Sequence, residues 1–248
     1  MELMLYPTWR NDQPAIVVAG DAGVQFTAIQ QSDGVFAGDW MRLHPCAVRL
    51  RHLHNSMDSF VRDHAWFNGE TVKSQSRRLR TDWYRKFAPH NLSGIDIGCG
   101  FDPLNTSFRR WDVTLGDGDA TFLDGIVDAS MQTVYASHVL EHLRNPVEAL
   151  RNWWRVLASS GHLIVSVPHR DLYEMRNLLP SIGNPDHKSF YLPDRDDAPH
   201  TLSLRRILNE ALPNGHMISF STETEGYRKL SDSVAAGEYS IEAVIRKP

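Results

Sequence analysis

One segment decides the fold of this chain: Ile95-Asp96-Ile97-Gly98-Cys99-Gly100-Phe101-Asp102-Pro103. A short apolar run is followed by two glycines one residue apart, which predicts a strand that leads into a tight loop. Open α/β sheets bind ligands where such strands end. A dinucleotide fingerprint would require a third glycine at the position of Pro103. The loop therefore disfavours NAD, and the acid Asp96 favours a ligand with a cationic amino acid end.

Strands and helices alternate on the carboxyl side of this loop. The apolar pattern predicts strands at 95–97, 111–113, 133–136, 163–167, 217–221 and 241–245. Asn145 is typical of a helix N-cap, with Pro146 at the first position, Glu148 completing a capping box and Gly161 as the left-handed stop. A second helix is expected to begin at Thr201. This alternation predicts an α/β fold, with a mostly parallel sheet and helices on both faces.

The first 90 residues follow a different pattern. Runs at 15–19 and 24–29 flank the turn residues 20–23 and predict a β-hairpin. Helical periodicity follows at 48–67 and 72–87. We therefore expect an α+β N-terminal extension over 1–90, acting as a lid or dimerisation element, and a main domain over 91–248.

The composition excludes several classes of protein. The chain has 248 residues, 42% of them apolar, and a formal charge of -4, which excludes a disordered chain and disfavours polyanion binding by the whole molecule. No apolar run approaches the roughly 20 residues of a membrane span, and no secretory signal is evident, so a cytoplasmic location is expected. Cys46 and Cys99 form no C-x-x-C pair, which argues against a zinc ribbon or a disulfide framework.

Further motifs extend the pattern of the glycine loop. Val134-Tyr-Ala-Ser-His-Val-Leu-Glu-His142-Leu follows it, and then come Trp154-Arg-Val-Leu157, Gly161 and Leu163-Ile-Val-Ser-Val-Pro168. Together these motifs resemble the class I S-adenosylmethionine-dependent methyltransferases, most strongly over residues 94–172. The likeness is greatest to small bacterial methyltransferases associated with surface glycans or secondary metabolites. It implies a Rossmann-like fold, S-adenosylmethionine as cofactor, and attack of a substrate oxygen or nitrogen on the sulfonium methyl group.

The resemblance assigns cofactor contacts to residues at the ends of the strands. Asp112 matches the acid that binds the ribose hydroxyls, since two ionised oxygens suit a vicinal diol. Asp119 matches the acid that receives the adenine amino group, with Asp117 as a rival. The other expected contacts are Asp96, Gly98, Cys99 and Gly100 around the methionine end, Ala120 beside Asp119, and Ser137 after the fourth strand. Only seven positions separate Asp112 from Asp119, so the third strand or its crossover is expected to be shortened.

Three histidines lie where the resemblance would place the substrate. They are His138 after the fourth strand, His169 after the fifth, and His187 in Asn184-Pro-Asp-His-Lys188. Transfer to a hydroxyl needs a proton removed, and histidine titrates near neutrality, so one of them could act as base. His138 is favoured as the base, although it could instead only cap the following helix, and the loop histidines could instead be solvated. The expected acceptor is a hydroxyl or amine of a small molecule, such as a sugar or glycan precursor or a secondary metabolite.

Three other interpretations stay open. His138-Val-Leu-Glu141-His142 also spells H-x-x-E-H, a zinc-protease pattern, but His138 falls at a strand end, so no metal site is expected. Six bases in 73–86 could grip RNA, although a solvated face is favoured and nucleic acid is disfavoured. Departures from the family pattern near Asp119 and Gln132 leave a non-catalytic cofactor-binding subunit as an alternative. A homodimer is compatible with all of these.

Overall fold

A computed structural model describes most of the chain beyond residue 107 and parts of the chain before it. The described residues are 3–10, 13–20, 25–30, 36–38, 73–74, 77–78, 81–89, 92–100, 104, 108–232 and 234–248. The chain divides into two compact units. One contains residues 1–91 and 102–108, and the other contains residues 92–101 and 109–248.

The first unit contains an antiparallel sheet. Its four strands pair in chain order and are β1 (Leu3–Arg10), β2 (Gln13–Gly20), β3 (Gln25–Gln30) and β4 (Phe36–Gly38). Ala15 of β2 lies opposite Ile29 of β3, as the predicted hairpin requires. The predicted helix at 48–67 lies outside the described residues. Within 72–87, residues 73–74 and 77–78 are helical, and helix α1 spans Trp83–Phe87.

The second unit is built on a six-stranded sheet. Its strands span Gly94–Ile97 (β5), Arg109–Trp111 (β6), Met131–Ser137 (β7), Leu157–Pro168 (β8), His216–Glu223 (β11) and Ser240–Arg246 (β14). Their order in the sheet is β11-β14-β8-β7-β5-β6. The strands β5 to β8 are mutually parallel, and β14 is antiparallel to both of its neighbours, β8 and β11, so the predicted mostly parallel α/β architecture is confirmed.

Helices α2 (Pro146–Val156) and α3 (Leu204–Ala211) contact each other in this unit. Trp153 of α2 is fully buried and donates a hydrogen bond from Nε1 to the carbonyl of Ala120 at 2.7 Å, so a large apolar surface is buried without an unsatisfied N–H. Four short strands complete the unit: the parallel pair β9 (Phe190–Leu192) and β10 (Thr201–Ser203), and the antiparallel pair β12 (Arg228–Lys229) and β13 (Ala235–Ala236). No helix in the described ranges is long and apolar enough to cross a membrane.

The segment between β6 and β7 contains a 3-10 turn and neither a strand nor an α-helix among its residues, all of which the structure describes. This agrees with the shortened third strand or crossover that the spacing of Asp112 and Asp119 predicts. Among the described residues, β6 is the last strand on its side of the sheet, and a single 3-10 turn at Val113–Leu115 follows it. The strand lies two residues earlier than the predicted 111–113. Asp112 accepts hydrogen bonds from the amide and hydroxyl of Thr114, and this local bonding bends the chain away from an extended path.

Both helix starts differ in part from the prediction. Asn145 occupies the N-cap position and Pro146 the first helical position, but the capping box is wrong. Asn145 Nδ2 instead donates to Glu148 Oε2 at 3.2 Å, so these side chains bond each other and not the helix backbone. The second helix begins at Leu204, not at Thr201. Ser203 is its N-cap, and its hydroxyl accepts a hydrogen bond from the amide of Arg206.

The predicted stop at Gly161 is also wrong. Helix α2 ends at Val156 and β8 begins at the next residue, so Gly161 lies inside a strand. The left-handed residue is Ser160, with φ of 62°. Glycine is required at 161 for a different reason, because a Cβ there would lie 2.7 Å from the carbonyl oxygen of Gln132 on β7.

The roles of these two neighbours can be separated by mutation. We expect Gly161→Ala to lower the free energy of unfolding by about 1–3 kcal/mol, because the added methyl group overlaps a backbone carbonyl that cannot rotate away. We expect Ser160→Gly to leave it unchanged or raise it by up to about 1 kcal/mol, because glycine removes the left-handed strain of a serine. Urea denaturation of the two variants measures both changes. The opposite pair of signs would contradict this assignment.

Candidate active site

The residues that the sequence singles out meet at one edge of the parallel sheet. Gly98, Asp112 and His138 each follow directly on a strand, β5, β6 and β7 respectively. Backbone hydrogen bonds continue beyond the strands, from Gly98 N to Trp111 O at 2.7 Å and from His138 N to Ser166 O at 2.9 Å. The three segments therefore leave the sheet side by side, where open α/β sheets bind their ligands.

The loop after β5 needs its glycines. Gly98 and Gly100 have φ of 69° and 48°, in the left-handed region that favours glycine. A Cβ on Gly98 would lie 2.2 Å from Cγ2 of Val139. The bare backbone of this loop therefore packs directly against the segment that follows β7.

Asp112 joins this loop to the end of β6. Its Oδ2 accepts the amide of Gly100 at 2.8 Å, and its Oδ1 accepts the amide and the hydroxyl of Thr114 at 2.8 and 2.6 Å. Burial alone would raise the pKa of this carboxyl, but the hydrogen bonds from Thr114 and Gly100 outweigh burial and lower it. Asp112 is therefore ionised at neutral pH. A carboxylate has about four acceptor positions, so one is left for a ligand hydroxyl.

The two acids predicted as alternative contacts for adenine, Asp117 and Asp119, accept hydrogen bonds from different amides. Asp117 Oδ2 accepts the amide of Asp112 at 3.1 Å, while Asp119 Oδ1 accepts the amide of Thr121 at 2.6 Å. Both residues are exposed. A Cβ on Gly118, between them, would lie 2.9 Å from the ring of Trp111, so the turn packs closely on that ring. Which of the two acids meets an adenine stays a prediction.

Two of the other predicted cofactor contacts, Asp96 and Cys99, are buried. Asp96 lies in β5, in register with Arg110 and Tyr135 of the neighbouring strands, and is 1% exposed. Burial raises the pKa of the Cys99 thiol to about 12, and the nearby Asp96 carboxylate adds to the rise. Cys99 is therefore a neutral thiol and not a nucleophile at neutral pH. Ser137 is the last residue of β7 and lies opposite Ser166 of β8.

His138 stands at the centre of a polar group on this edge. Its backbone is left-handed, with φ of 56°, and its side chain is 12% exposed. Its Nε2 lies 2.8 Å from the hydroxyl of Ser240, at the start of β14, and its Nδ1 lies 3.6 Å from Oε1 of the fully buried Glu141. The N-cap of the following 3-10 turn is Val139, so His138 does not cap that turn. An imidazole between a hydroxyl and a carboxylate has the arrangement of a general base and its orienting acid.

The other two predicted bases are bonded to parts of the fold. Nδ1 of His169 accepts the amide of Asp171 at 3.2 Å and caps a helical turn at Arg170–Glu174, and burial lowers the pKa of its imidazole. His187 is buried, with its Nδ1 2.5 Å from Oε1 of Glu174. His187 is therefore buried and not solvated, and His169 is bonded to a helical turn. A role of either histidine as the base stays a prediction.

Part of the predicted basic segment is unavailable to a phosphate. Arg78 is 1% exposed, with its guanidinium 4.3 Å from the ring centre of Trp83. Arg85 is exposed but forms an ion pair with Asp82 at 2.5 Å. Arg80 lies outside the described residues. The segment therefore contains at least one arginine that stacks on the fold, as a structural role requires.

Sequence reasoning missed the partners of the histidines. Ser240, Tyr239 and Glu174 carry no motif that links them to His138 or His187. Glu141 could have been found, because it lies three residues after His138 in H-x-x-E-H. Tyr239, 5.9 Å from the His138 ring between centres, is near it only because β14 is hydrogen-bonded to β8.

Residues 78–165 match the profile of a protein family described as a methyltransferase domain. The curated proteins contain no match to this chain. Among solved structures, similarity is found to a SAM-dependent methyltransferase from Archaeoglobus fulgidus, with 16% identity, a TM-score of 0.47, and coverage of 76% of this chain and 99% of that one. A second, from Mesorhizobium loti, is an S-adenosylmethionine-dependent methyltransferase with 13% identity, a TM-score of 0.43, and coverage of 67% and 97%.

The family match includes the glycine loop at the end of β5 and the segment that follows β7. It supports the expected methyltransferase activity, and with it S-adenosylmethionine as the cofactor. The ionised Asp112 beside a glycine loop fits S-adenosylmethionine, which carries a ribose diol and a cationic amino acid end.

The glycine loop gives a direct test of cofactor binding. We expect Gly98→Ala to weaken S-adenosylmethionine binding at least about tenfold, because its Cβ would overlap Val139 and displace the loop. Gly125→Ala is the matched control, since Gly125 has a similar φ of 80° with nothing within 4 Å of its Cβ position. Isothermal titration calorimetry on both variants measures the difference. Unchanged affinity in Gly98→Ala would show that the loop does not contact the cofactor.

Proposed function

We propose that this enzyme transfers the methyl group of S-adenosylmethionine to a hydroxyl or amine of a small molecule, of the kind present in sugar or glycan precursors and secondary metabolites. The observation that carries the proposal is the imidazole of His138, held between Ser240 and Glu141 at the carboxyl edge of the sheet. A base at this edge, at the end of the strand next to the one that leads into the glycine loop, suits proton removal from an acceptor hydroxyl.

The proposed cofactor contacts follow the strand ends. Asp112 would accept a hydrogen bond from a ribose hydroxyl through its remaining acceptor position, and either Asp117 or Asp119 would accept a hydrogen bond from the adenine amino group. When bound, the cofactor supplies a methyl group on a positively charged sulfur, ready for displacement. The further proposed contacts are those of Asp96, Gly98, Cys99, Gly100, Ala120 and Ser137.

His138 would take a proton at Nε2 from the Ser240 hydroxyl, 2.8 Å away, while that hydroxyl takes the proton of the acceptor hydroxyl, whose oxygen attacks the methyl group. The buried Glu141 carboxylate, 3.6 Å from Nδ1, would stabilise the imidazolium that forms. The Ser240 hydroxyl fixes the plane of the ring by its contact with Nε2. Such a base contributes about 10²- to 10⁴-fold to a rate, whereas alignment of the reactants supplies more, about 7 to 11 kcal/mol.

Aromatic residues on the same edge support a small acceptor. The rings of Tyr173 and Tyr239 lie 4.9 Å apart between centres, and Tyr239 also contacts His138. Aromatic walls with a few fixed polar groups are typical of sites for small molecules. The formal charge of -4 and the burial of Arg78 give no support to a nucleic acid acceptor.

A histidine substitution separates binding from chemistry. We expect His138→Gln to keep S-adenosylmethionine affinity within about twofold and to slow turnover by about 10²- to 10⁴-fold with a hydroxyl acceptor. His216→Gln, at an exposed position on β11, is the matched control and should keep full turnover. Single-turnover transfer of a labelled methyl group measures the rate. A rate unchanged by His138→Gln would remove this residue from the mechanism and favour an amine acceptor, which needs little base help.

The acceptor class has its own experiment. Purified protein is incubated with methyl-labelled cofactor and fractionated cell extract, and the labelled product is sized and identified by mass spectrometry. Label in small polar or glycosylated compounds is the expected result. Label confined to RNA or protein fractions would contradict the proposed class.

A further inference from the structure

Two histidines and a glutamate converge beside the proposed acceptor edge. They are Glu141, His142 and His187, and one ligand atom from each lies within 4.8 Å of the others. The imidazoles of His142 and His187 meet edge to face, with ring centres 4.7 Å apart. His187 is distant in sequence from Glu141 and His142. The two segments are held together by hydrogen bonds from the amides of Lys188 and Ser189 to the carbonyl of Glu141.

A second carboxylate supports each imidazole from behind. Nδ1 of His142 lies 3.0 Å from Oδ2 of Asp186, and Nδ1 of His187 lies 2.5 Å from Oε1 of the buried Glu174. A carboxylate on Nδ1 leaves Nε2 as the nitrogen that each ring can give to an ion. Histidines that bind metals are almost always oriented in this way by a carboxylate or carbonyl on the other nitrogen.

From this arrangement we propose a binding site for a divalent transition-metal ion of the Zn²⁺ type, with Glu141, His142 and His187 as its protein ligands. The site goes beyond the proposed methyl transfer, which does not depend on it. Two imidazoles and a carboxylate are the ligand set of several catalytic zinc sites, where a fourth position stays open for water or substrate.

The distances suit such an ion after a small closure. Ligand atoms on a tetrahedral zinc lie roughly 3.4 Å apart, and the ring centres of two coordinated imidazoles lie roughly 5 Å apart. The ring centres of His142 and His187 lie 4.7 Å apart, near the second value. The ligand atoms lie within 4.8 Å of one another, so they would close by up to about 1.4 Å on the ion. Glu141 has two carboxylate oxygens, so it can face His138 with one and the ion with the other.

An ion can reach this site from solvent. Glu141 and His187 are buried, but the side chain of His142 is 26% exposed and that of Asp186 is 67% exposed. The site differs from the H-x-x-E-H arrangement of a zinc protease. His138 precedes a short 3-10 turn instead of sharing a continuous helix with His142, and His187 supplies the second imidazole.

The test is metal binding by the full-length chain. Protein stripped with a chelator is dialysed against Zn²⁺ alone, and bound zinc is measured by atomic emission. Co²⁺ alone is added to a second sample for its visible spectrum. One Zn²⁺ per chain and the absorption bands of four-coordinate Co²⁺, with no thiolate charge-transfer band, are expected.

Variants locate the ion. His142→Gln and His187→Gln should each weaken zinc affinity at least about a hundredfold, and the exposed outer carboxylate variant Asp186→Asn about 10- to 100-fold. His216→Gln should keep the affinity of the unmodified protein. Since Asp186→Asn changes an exposed side chain, it decides the matter even where His187→Gln does not fold.

Two outcomes would overturn the site. The unmodified protein retains no zinc, or His142→Gln and Asp186→Asn bind it as tightly as the unmodified protein does. Calorimetry with S-adenosylmethionine on the same stripped samples keeps the two proposals apart. Cofactor binding without zinc binding would reject the metal site alone and leave the methyl-transfer proposal standing.

Discussion

The carboxylate of Asp112 accepts three hydrogen bonds, and the rest of the cofactor edge depends on them. One comes from Gly100 in the loop after β5, and two come from Thr114 in the turn after β6. They hold two loops in one arrangement and keep the carboxylate ionised although it is 8% exposed. Because Val139 fills the space beside Gly98, the same arrangement also fixes the loop relative to the segment that contains His138.

The sheet could be predicted from sequence because its information is local. Apolar runs of strand length at 95–97, 133–136, 163–167 and 241–245 all became strands of the second unit. The predictions were wrong where a residue distant in sequence determines the local structure. Gly161 looks like a helix stop in its own segment, but it is required by a carbonyl on β7. Gln132, which lacks the acid expected there, anchors β7 by accepting a hydrogen bond from the amide of Ser93.

Residues of the candidate site were predictable from sequence only where they directly follow a strand. The glycines, Asp112 and His138 each follow a strand, and the sequence motifs around these strand ends indicated them. The partners of the histidines come from elsewhere, as in the contact between His138 and Ser240, 102 residues apart. Such pairs depend on strand order and register, which single-sequence patterns do not encode. For the same reason no motif indicated that His187 lies against His142.

Strand β14 lies between β8 and β11, although it follows both in the chain. On the ribosome, β8 is therefore complete while its outer edge still lacks a neighbour, with backbone donors and acceptors open to other chains. Ser240 begins β14, so the imidazole of His138 obtains its hydroxyl partner only when this strand inserts. The order of synthesis thus separates the two halves of the proposed active site: the Gly100–Asp112 contact can form early, whereas orientation of the proposed base requires nearly the whole domain.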